Sequence, residues 1–117
     1  MNLMISRLER VTSPCSARFA NTVFTAASFG VICGVFAFLM VRVIEASLAE
    51  PGCRAYSYAE DIAEPGLFRV HEEWDSRAAL DAHFATAHMK RWQAERDKLG
   101  FNDRQINVYE IAAAAPL

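Results

Sequence analysis

The chain has 117 residues, of which 53% are hydrophobic, and it carries a formal net charge of −2. This length fits one domain with one modest core. After residue 50 there are 8 Lys and Arg against 11 Asp and Glu, which excludes a basic surface for nucleic acid in that part. The three cysteines, at 15, 33 and 53, form neither a metal-binding pair nor a disulfide framework.

The first 41 residues divide into a polar stretch and an apolar run. Residues 1–22 are polar and irregular, which predicts an N-terminal extension. Residues 23–41 contain no charged side chain, so their length makes them a candidate membrane span. Gly30 and Gly34 have the spacing that lets two helices approach closely in lipid. The alternative is that this run supplies core of the domain. We expect a cytoplasmic protein, with membrane anchoring through 23–41 as the alternative.

Helical and strand patterns alternate along the rest of the chain. Pro51 and Gly52 end the first helix, a turn at 64–66 joins two strands into a hairpin, and Gly100 ends the last helix. The predicted elements are helix 42–50, strand 53–61, strand 67–74, helix 76–85, a second helix from Thr86 to Leu99, strand 104–111 and a tail at 112–117.

This order becomes the ferredoxin-like βαββαβ fold, an α+β architecture, if one more strand precedes it. That strand lies centrally in the sheet, so either the apolar run or residues 3–11 must supply it. We expect the run to be reshaped, with FGVICGVFAF as a strand and 39–50 as a helix, because Val, Ile and Phe favour strands. The domain would then occupy 23–111. There are two alternatives for this front part of the chain. It could be a membrane anchor ahead of a shortened domain, or a segment foreign to the domain.

The segment from His71 to Trp92 contains all three histidines of the chain. Zinc sites on helices favour histidines four residues apart, on one face. His83 and His88 are five apart, and the cap at Thr86 breaks the helix between them. We therefore expect the two imidazoles to point apart, and no metal site.

Acid–base chemistry fits this segment better. His88 lies in the first turn of a helix, whose positive end disfavours a charged imidazole, so His88 is a candidate general base. Glu72 shares an apolar strand face with Trp74, where a carboxylate is costly unless it is bonded. Tyr56 and Tyr58 on the neighbouring strand are its candidate partners.

Three stretches together resemble the antibiotic biosynthesis monooxygenase family, including its quinol monooxygenase-like members. They are EPGCRAYSYAED, EPGLFRVHEEWDSRAALDAHFATAHMKRW and DRQINVYE. The resemblance is clear over 42–111. It implies a dimeric α/β-barrel type of assembly, in which two ferredoxin-like domains pair through their sheets around pockets between sheet and helices.

The resemblance also implies a function: oxidation of a phenolic or quinol-type small molecule by molecular oxygen, with no metal or flavin cofactor. A base deprotonates the substrate, and the electron-rich anion reacts with oxygen. Carried over by position, the implied site has His88, His83 and Trp74 as catalytic residues and Tyr56, Glu72 and Tyr58 as substrate-binding residues.

Two other functional classes stay open. Relatives of this fold that act on small sugar-derived signals form one. The other is a non-catalytic ligand-binding or membrane-tethered module that kept the fold but has an incomplete pocket. A first strand that completes the sheet would favour the enzyme.

Overall fold

A computed structural model describes residues 2–11 and 26–117, with side chains from residue 36 onward in the second range. A four-stranded antiparallel sheet, in the order β2-β3-β1-β4, carries the helices on one face. The elements are β1 Asn2–Val11, α1 Ala26–Leu48, β2 Cys53–Glu60, β3 Leu67–Trp74, α2 Arg77–Ala85, α3 Ala87–Lys98 and β4 Phe101–Ile111. The ferredoxin-like prediction is confirmed, with the second helical segment divided in two.

The first strand of the sheet is β1, which pairs with β3 on one side and β4 on the other. Alternate side chains of β1 are buried, among them Leu3 and Ile5. The interpretation of residues 1–22 as irregular is therefore wrong for 2–11, and the alternative that residues 3–11 supply the first strand is confirmed. Met1 and residues 12–22 lie outside the described residues. The prediction failed because the buried residues of β1, which alternate with exposed ones, include charged side chains, so the strand does not show an apolar alternation.

The apolar run forms helix rather than strand from Ala26 onward. The expectation that 29–38 is a strand is wrong, because β1 already fills the central position of the sheet. Phe36, Met40 and Val43 follow helical spacing and join Phe68 of β3 in one buried cluster. The second half of α1 thus contributes core. No helix among the described residues is long and apolar enough to cross a membrane.

The predicted hairpin and the later helices agree with the structure. β2 and β3 pair antiparallel, and Gly66 in the turn between them adopts a φ of 86°. Ser76 begins α2, with its hydroxyl accepting a hydrogen bond from the backbone N–H of Ala79 at 3.2 Å. β4 starts at Phe101, three residues earlier than predicted, and the exposed residues after Ile111 form neither helix nor strand.

Candidate functional site

A carboxylate and two imidazoles meet where the three helices converge. Glu50 lies in the turn after α1, His83 lies near the end of α2, and His88 lies in the first turn of α3. Nδ1 of His83 is 2.7 Å from Oε1 of Glu50, and Nε2 of His88 is 2.8 Å from the same oxygen. The two ring centroids are 5.9 Å apart. We call these three residues the Glu–His cluster.

Thr86 is what brings the two histidines together. Its extended backbone, with φ −66° and ψ 154°, ends α2 and begins α3. Its hydroxyl oxygen accepts from the N–H of Met89 at 3.4 Å and donates to the carbonyl of His83 at 2.7 Å. The predicted cap is confirmed. The expectation that this break separates His83 from His88 is wrong, because the turn at Thr86 redirects α3 and returns His88 toward the end of α2.

Aromatic rings enclose His83, which has no exposed surface. The ring of Trp74, at the end of β3, lies 4.6 Å from that of His83, and the ring of Tyr56 lies 5.6 Å away. Phe84 packs at 5.4 Å. The structure therefore brings Trp74, Tyr56 and His83 into one buried wall behind His88.

The sheet beneath this wall carries a buried ionic network centred on Arg7 of β1. A guanidinium nitrogen of Arg7 lies 3.0 Å from Oε1 of Glu72 and donates to the hydroxyls of Tyr56 and Tyr58 at 3.2 and 3.0 Å. The indole N–H of Trp74 donates to the other oxygen of Glu72 at 3.2 Å. The sequence predicts the two tyrosines as partners of Glu72. In the structure Glu72 contacts Arg7 and Trp74 instead, and Arg7 in turn bonds the tyrosine hydroxyls.

Glu9 extends the network along β1. Its Oε1 lies 3.2 Å from Arg7, 3.1 Å from Arg96 of α3 and 3.2 Å from Arg104 of β4. Three guanidinium groups thus surround two carboxylates, those of Glu9 and Glu72, on the helix-facing side of the sheet. Such a set is stable only while every charge keeps its partner.

Five residues of this region escaped the sequence interpretation: Arg7, Glu9, Glu50, Arg96 and Arg104. A usable signal existed for two of them. In LMISRLERV, Arg7 and Glu9 share the strand face of Leu3 and Ile5, so a strand there would bury both charges. Glu50 and Arg96 looked like exposed helix-end charges, and only the tertiary contacts identify their roles.

A groove of about 180 Å³ runs between α1 and α3 and reaches the Glu–His cluster. His88 is the one predicted site residue that lines it. The pocket expected between sheet and helices thus differs from the groove described, which lies within the helix layer. Tyr58 stands behind its wall, with its ring 6.3 Å from that of Trp92. The groove is lined by Phe38, Leu39, Arg42, Val43, Ala46, His88, Arg91, Trp92 and Glu95.

The thiol of Cys53 is not set up as a nucleophile. Burial, together with the charges of Glu50 and Glu72, raises the pKa of Cys53 to about 11. A thiol with that pKa is protonated at neutral pH, and the protonated form is a poor nucleophile.

Tyr56 and Tyr58 are expected to make the folded protein less stable at alkaline pH. Burial raises the pKa of Tyr56 and of Tyr58 above the ordinary value near 10, although Arg7 opposes the shift in both. Above pH ~10 the unfolded chain has lost these protons while the folded chain keeps them. Stability therefore falls as pH rises, by up to about 1.4 kcal/mol per pH unit for each tyrosine.

Urea denaturation at pH values from about 9 to about 11 measures this slope. Tyr56→Phe is expected to reduce the loss of stability per pH unit. Tyr109→Phe, at a side chain on β4 that is 46% exposed, serves as the control and is expected to leave the slope unchanged. Equal slopes in Tyr56→Phe and the unmodified protein would contradict the assignment.

Known proteins resemble this chain both in sequence and in fold. The sequence pattern of the antibiotic biosynthesis monooxygenase family matches residues 36–95. An uncharacterised protein of Synechocystis is 38% identical over 82 residues, which are 70% of this chain and 56% of that protein. The chain thus spans little more than half the length of this relative.

Solved structures agree on the architecture. A candidate antibiotic biosynthesis monooxygenase from Deinococcus radiodurans is 22% identical, with a TM-score of 0.74 over 100% of this chain and 98% of that one. Rv0793 from Mycobacterium tuberculosis is 19% identical, with a TM-score of 0.72 over 99% and 100% of the two chains. At these identities the likeness concerns the fold alone.

Proposed function

Because the chain belongs to the antibiotic biosynthesis monooxygenase family, we propose that it is a small monooxygenase that oxidises a phenolic or quinol-type molecule with oxygen and without a cofactor. One observation carries this proposal. His88 lies at the edge of the groove, and its buried Nε2 lies 2.8 Å from a carboxylate oxygen of Glu50. An imidazole beside a carboxylate, next to a small cavity, is the arrangement that a general base requires.

His88 is the proposed base. It is the histidine of the cluster that lines the groove, and its side chain is 25% exposed, whereas His83 is fully buried. A substrate hydroxyl in the groove can therefore reach His88 without any change in the core. Glu50 stabilises the imidazolium that forms when His88 takes the proton.

His83 is proposed to position Glu50. Its Nδ1 contacts the same carboxylate oxygen at 2.7 Å, and the ring is fixed by its packing on Trp74. A fixed carboxylate costs no reorganisation when charge develops on His88. Trp74 then forms the wall behind the cluster. Tyr56, Glu72 and Tyr58 support that wall through Arg7, and contact of these three with substrate requires the wall to open toward the groove.

The proposed chemistry balances without an external reductant. A quinol and one molecule of oxygen give a hydroxyquinone and one molecule of water. One ring C–H bond and the O–O bond break, and one ring C–O bond forms. All the electrons that reduce oxygen come from the substrate, and deprotonation by His88 makes the substrate electron-rich enough to release them.

Oxygen consumption tests this function. Chelator-treated protein with a panel of simple quinols is expected to consume one oxygen per quinol oxidised and to release no hydrogen peroxide. A two-electron oxidase would instead produce peroxide and an unhydroxylated quinone. Uptake no faster than the spontaneous reaction with every quinol tested would favour the non-catalytic ligand-binding alternative. The presence of β1 in the sheet supports the enzyme over that alternative, since a first strand that completes the sheet is the feature that favours the enzyme.

We also propose that the protein forms a homodimer through its sheet. β4 is an edge strand of the sheet, and its Ile106 and Val108, which pair with Arg7 and Ile5 and so lie on the helix-facing side, are 44% and 46% exposed. A strand at the edge of a sheet with such exposed apolar side chains is an unfavourable surface in water, and pairing would cover it. A monomer mass in sedimentation equilibrium at micromolar concentration would contradict the dimer.

A further inference from the structure

The ligand atoms of the Glu–His cluster are close enough to share one ion. One atom from each of Glu50, His83 and His88 lies within 4.8 Å of the other two. We propose that this cluster is a binding site for one divalent transition-metal ion, and that the bound ion switches the enzyme off. This goes beyond the proposed function, because metal binding can be measured without any substrate.

The donor set selects the class of ion. Two imidazole nitrogens and one carboxylate oxygen suit zinc and its transition-metal neighbours, whereas magnesium and calcium prefer oxygen ligands alone. Among the described residues, no further carboxylate joins the cluster to complete an all-oxygen site. Zinc is therefore the appropriate probe, and magnesium is the matched negative control.

The geometry is close to that of a bound site. Zinc ligands lie about 2.0–2.2 Å from the ion, so two ligand atoms of a tetrahedral site are roughly 3.4 Å apart. The nitrogens of His83 and His88 lie 2.7 and 2.8 Å from Oε1 of Glu50. The two nitrogens themselves lie within 4.8 Å of each other. To admit an ion, the carboxylate must withdraw by less than ~1 Å and the two rings must approach by up to ~1.4 Å, shifts within the reach of side-chain torsions.

An unmet bonding requirement also points to a ligand. Nε2 of His88 is buried and makes no hydrogen bond, although it lies 2.8 Å from Glu50, because the contact lacks hydrogen-bond geometry. A buried nitrogen without a partner is costly. An ion between this nitrogen and the carboxylate would give both a partner, and the groove beside His88 gives the ion a route of entry.

The ion and the base use the same imidazole ring. Nε2 of His88 is buried against Glu50, so Nδ1 is the nitrogen left for a substrate proton. Once Nε2 coordinates a metal, the ring proton lies on Nδ1, and neither nitrogen can accept a proton from a substrate. Zinc is thus expected to inhibit quinol-dependent oxygen uptake, and a chelator is expected to restore it. Magnesium at the same concentration is expected to have no effect.

Isothermal titration of zinc into chelator-treated, tag-free protein tests the site. One ion per chain is expected to bind. His88→Ala and Glu50→Gln are each expected to weaken binding more than about 10-fold, since even outer-shell changes cost about 10- to 100-fold. His71→Ala is the matched control, because His71 has its own carboxylate, Glu73, at 2.8 Å but lies on the opposite face of the sheet. It is expected to bind zinc like the unmodified protein.

The outcomes separate this inference from the proposed function. Absence of binding, or equal affinity in His88→Ala, overturns the metal site whether or not the protein consumes oxygen. Binding that depends on the cluster in a protein with no oxygen uptake supports the site and contradicts the proposed function. Uptake that requires added zinc would overturn inhibition. Circular dichroism of each variant excludes unfolding as the cause of lost binding, and cobalt provides a second readout through its visible absorption, which a folded but non-coordinating variant lacks.

Discussion

His88→Ala is expected to lower quinol-dependent oxygen uptake by about 10²- to 10⁴-fold, the usual contribution of a general base. The physical reason is the loss of the nitrogen that receives the substrate proton. Because the side chain is partly exposed and lines the groove, its removal leaves the core packing intact. The melting temperature is therefore expected to change little, and initial rates with an oxygen electrode give the effect directly.

Two further variants test whether the loss of oxygen uptake comes from the Glu–His cluster. Glu50→Gln keeps the shape of the side chain but removes its charge, so kcat is expected to fall while KM changes little, as for a residue that acts through His88. His71→Ala lies outside the cluster and pairs with Glu73 on the other face, so its rate is expected to equal that of the unmodified protein. Full activity in His88→Ala would remove His88 as the base.

Arg7→Met is expected to give the largest loss of stability, about 3–5 kcal/mol, because it leaves the buried carboxylate of Glu72 without its charge partner and removes one of the three guanidinium groups around Glu9. Arg7 is 2% exposed and contacts both Glu9 and Glu72, each 1% exposed. Methionine fills much of the volume, so the loss reports the uncompensated charges rather than a cavity. Urea denaturation at neutral pH measures the free energy of unfolding.

The control for this variant is Arg69→Met on β3. Arg69 is 58% exposed and pairs with Asp61 at the surface, a type of contact that contributes about 0–1 kcal/mol. If Arg7→Met is too unstable to purify, the double variant Arg7→Met, Glu72→Gln is expected to recover part of the loss, because one of the stranded charges is gone. Similar effects at Arg7 and Arg69 would show that the network does not hold the sheet and helices together.

The local elements of this fold were predictable because their signals are local. The hairpin turn, the Ser76 and Thr86 caps and the glycine that ends α3 all act within a few residues. Residues 3–11 were one of the two candidates for the first strand, but the apolar run was favoured, because two of the buried positions in 3–11 hold Arg7 and Glu9 instead of apolar residues. Only partners from distant elements make those charges tolerable, and no local pattern reports such partners.

The site shows the same limit at closer range. The structure places His88 at a groove and Trp74 beside His83, but this groove lies within the helix layer and not between sheet and helices as the resemblance implied. Glu50 did not emerge, because it is a single acidic residue at a helix end, 33 positions before His83. The mutual approach of His83 and His88 was misjudged because helical spacing describes one straight helix, whereas Thr86 joins two helices at an angle.

The most direct test of the monooxygenase assignment is the fate of the oxygen atoms. Chelator-treated protein would be incubated with a quinol and isotopically heavy oxygen gas, and the product analysed by mass spectrometry beside a His88→Ala reaction. One heavy atom per hydroxyquinone, formed far faster than in the variant, is the expected result. A product without heavy oxygen, or equal labelling in His88→Ala, would contradict the assignment.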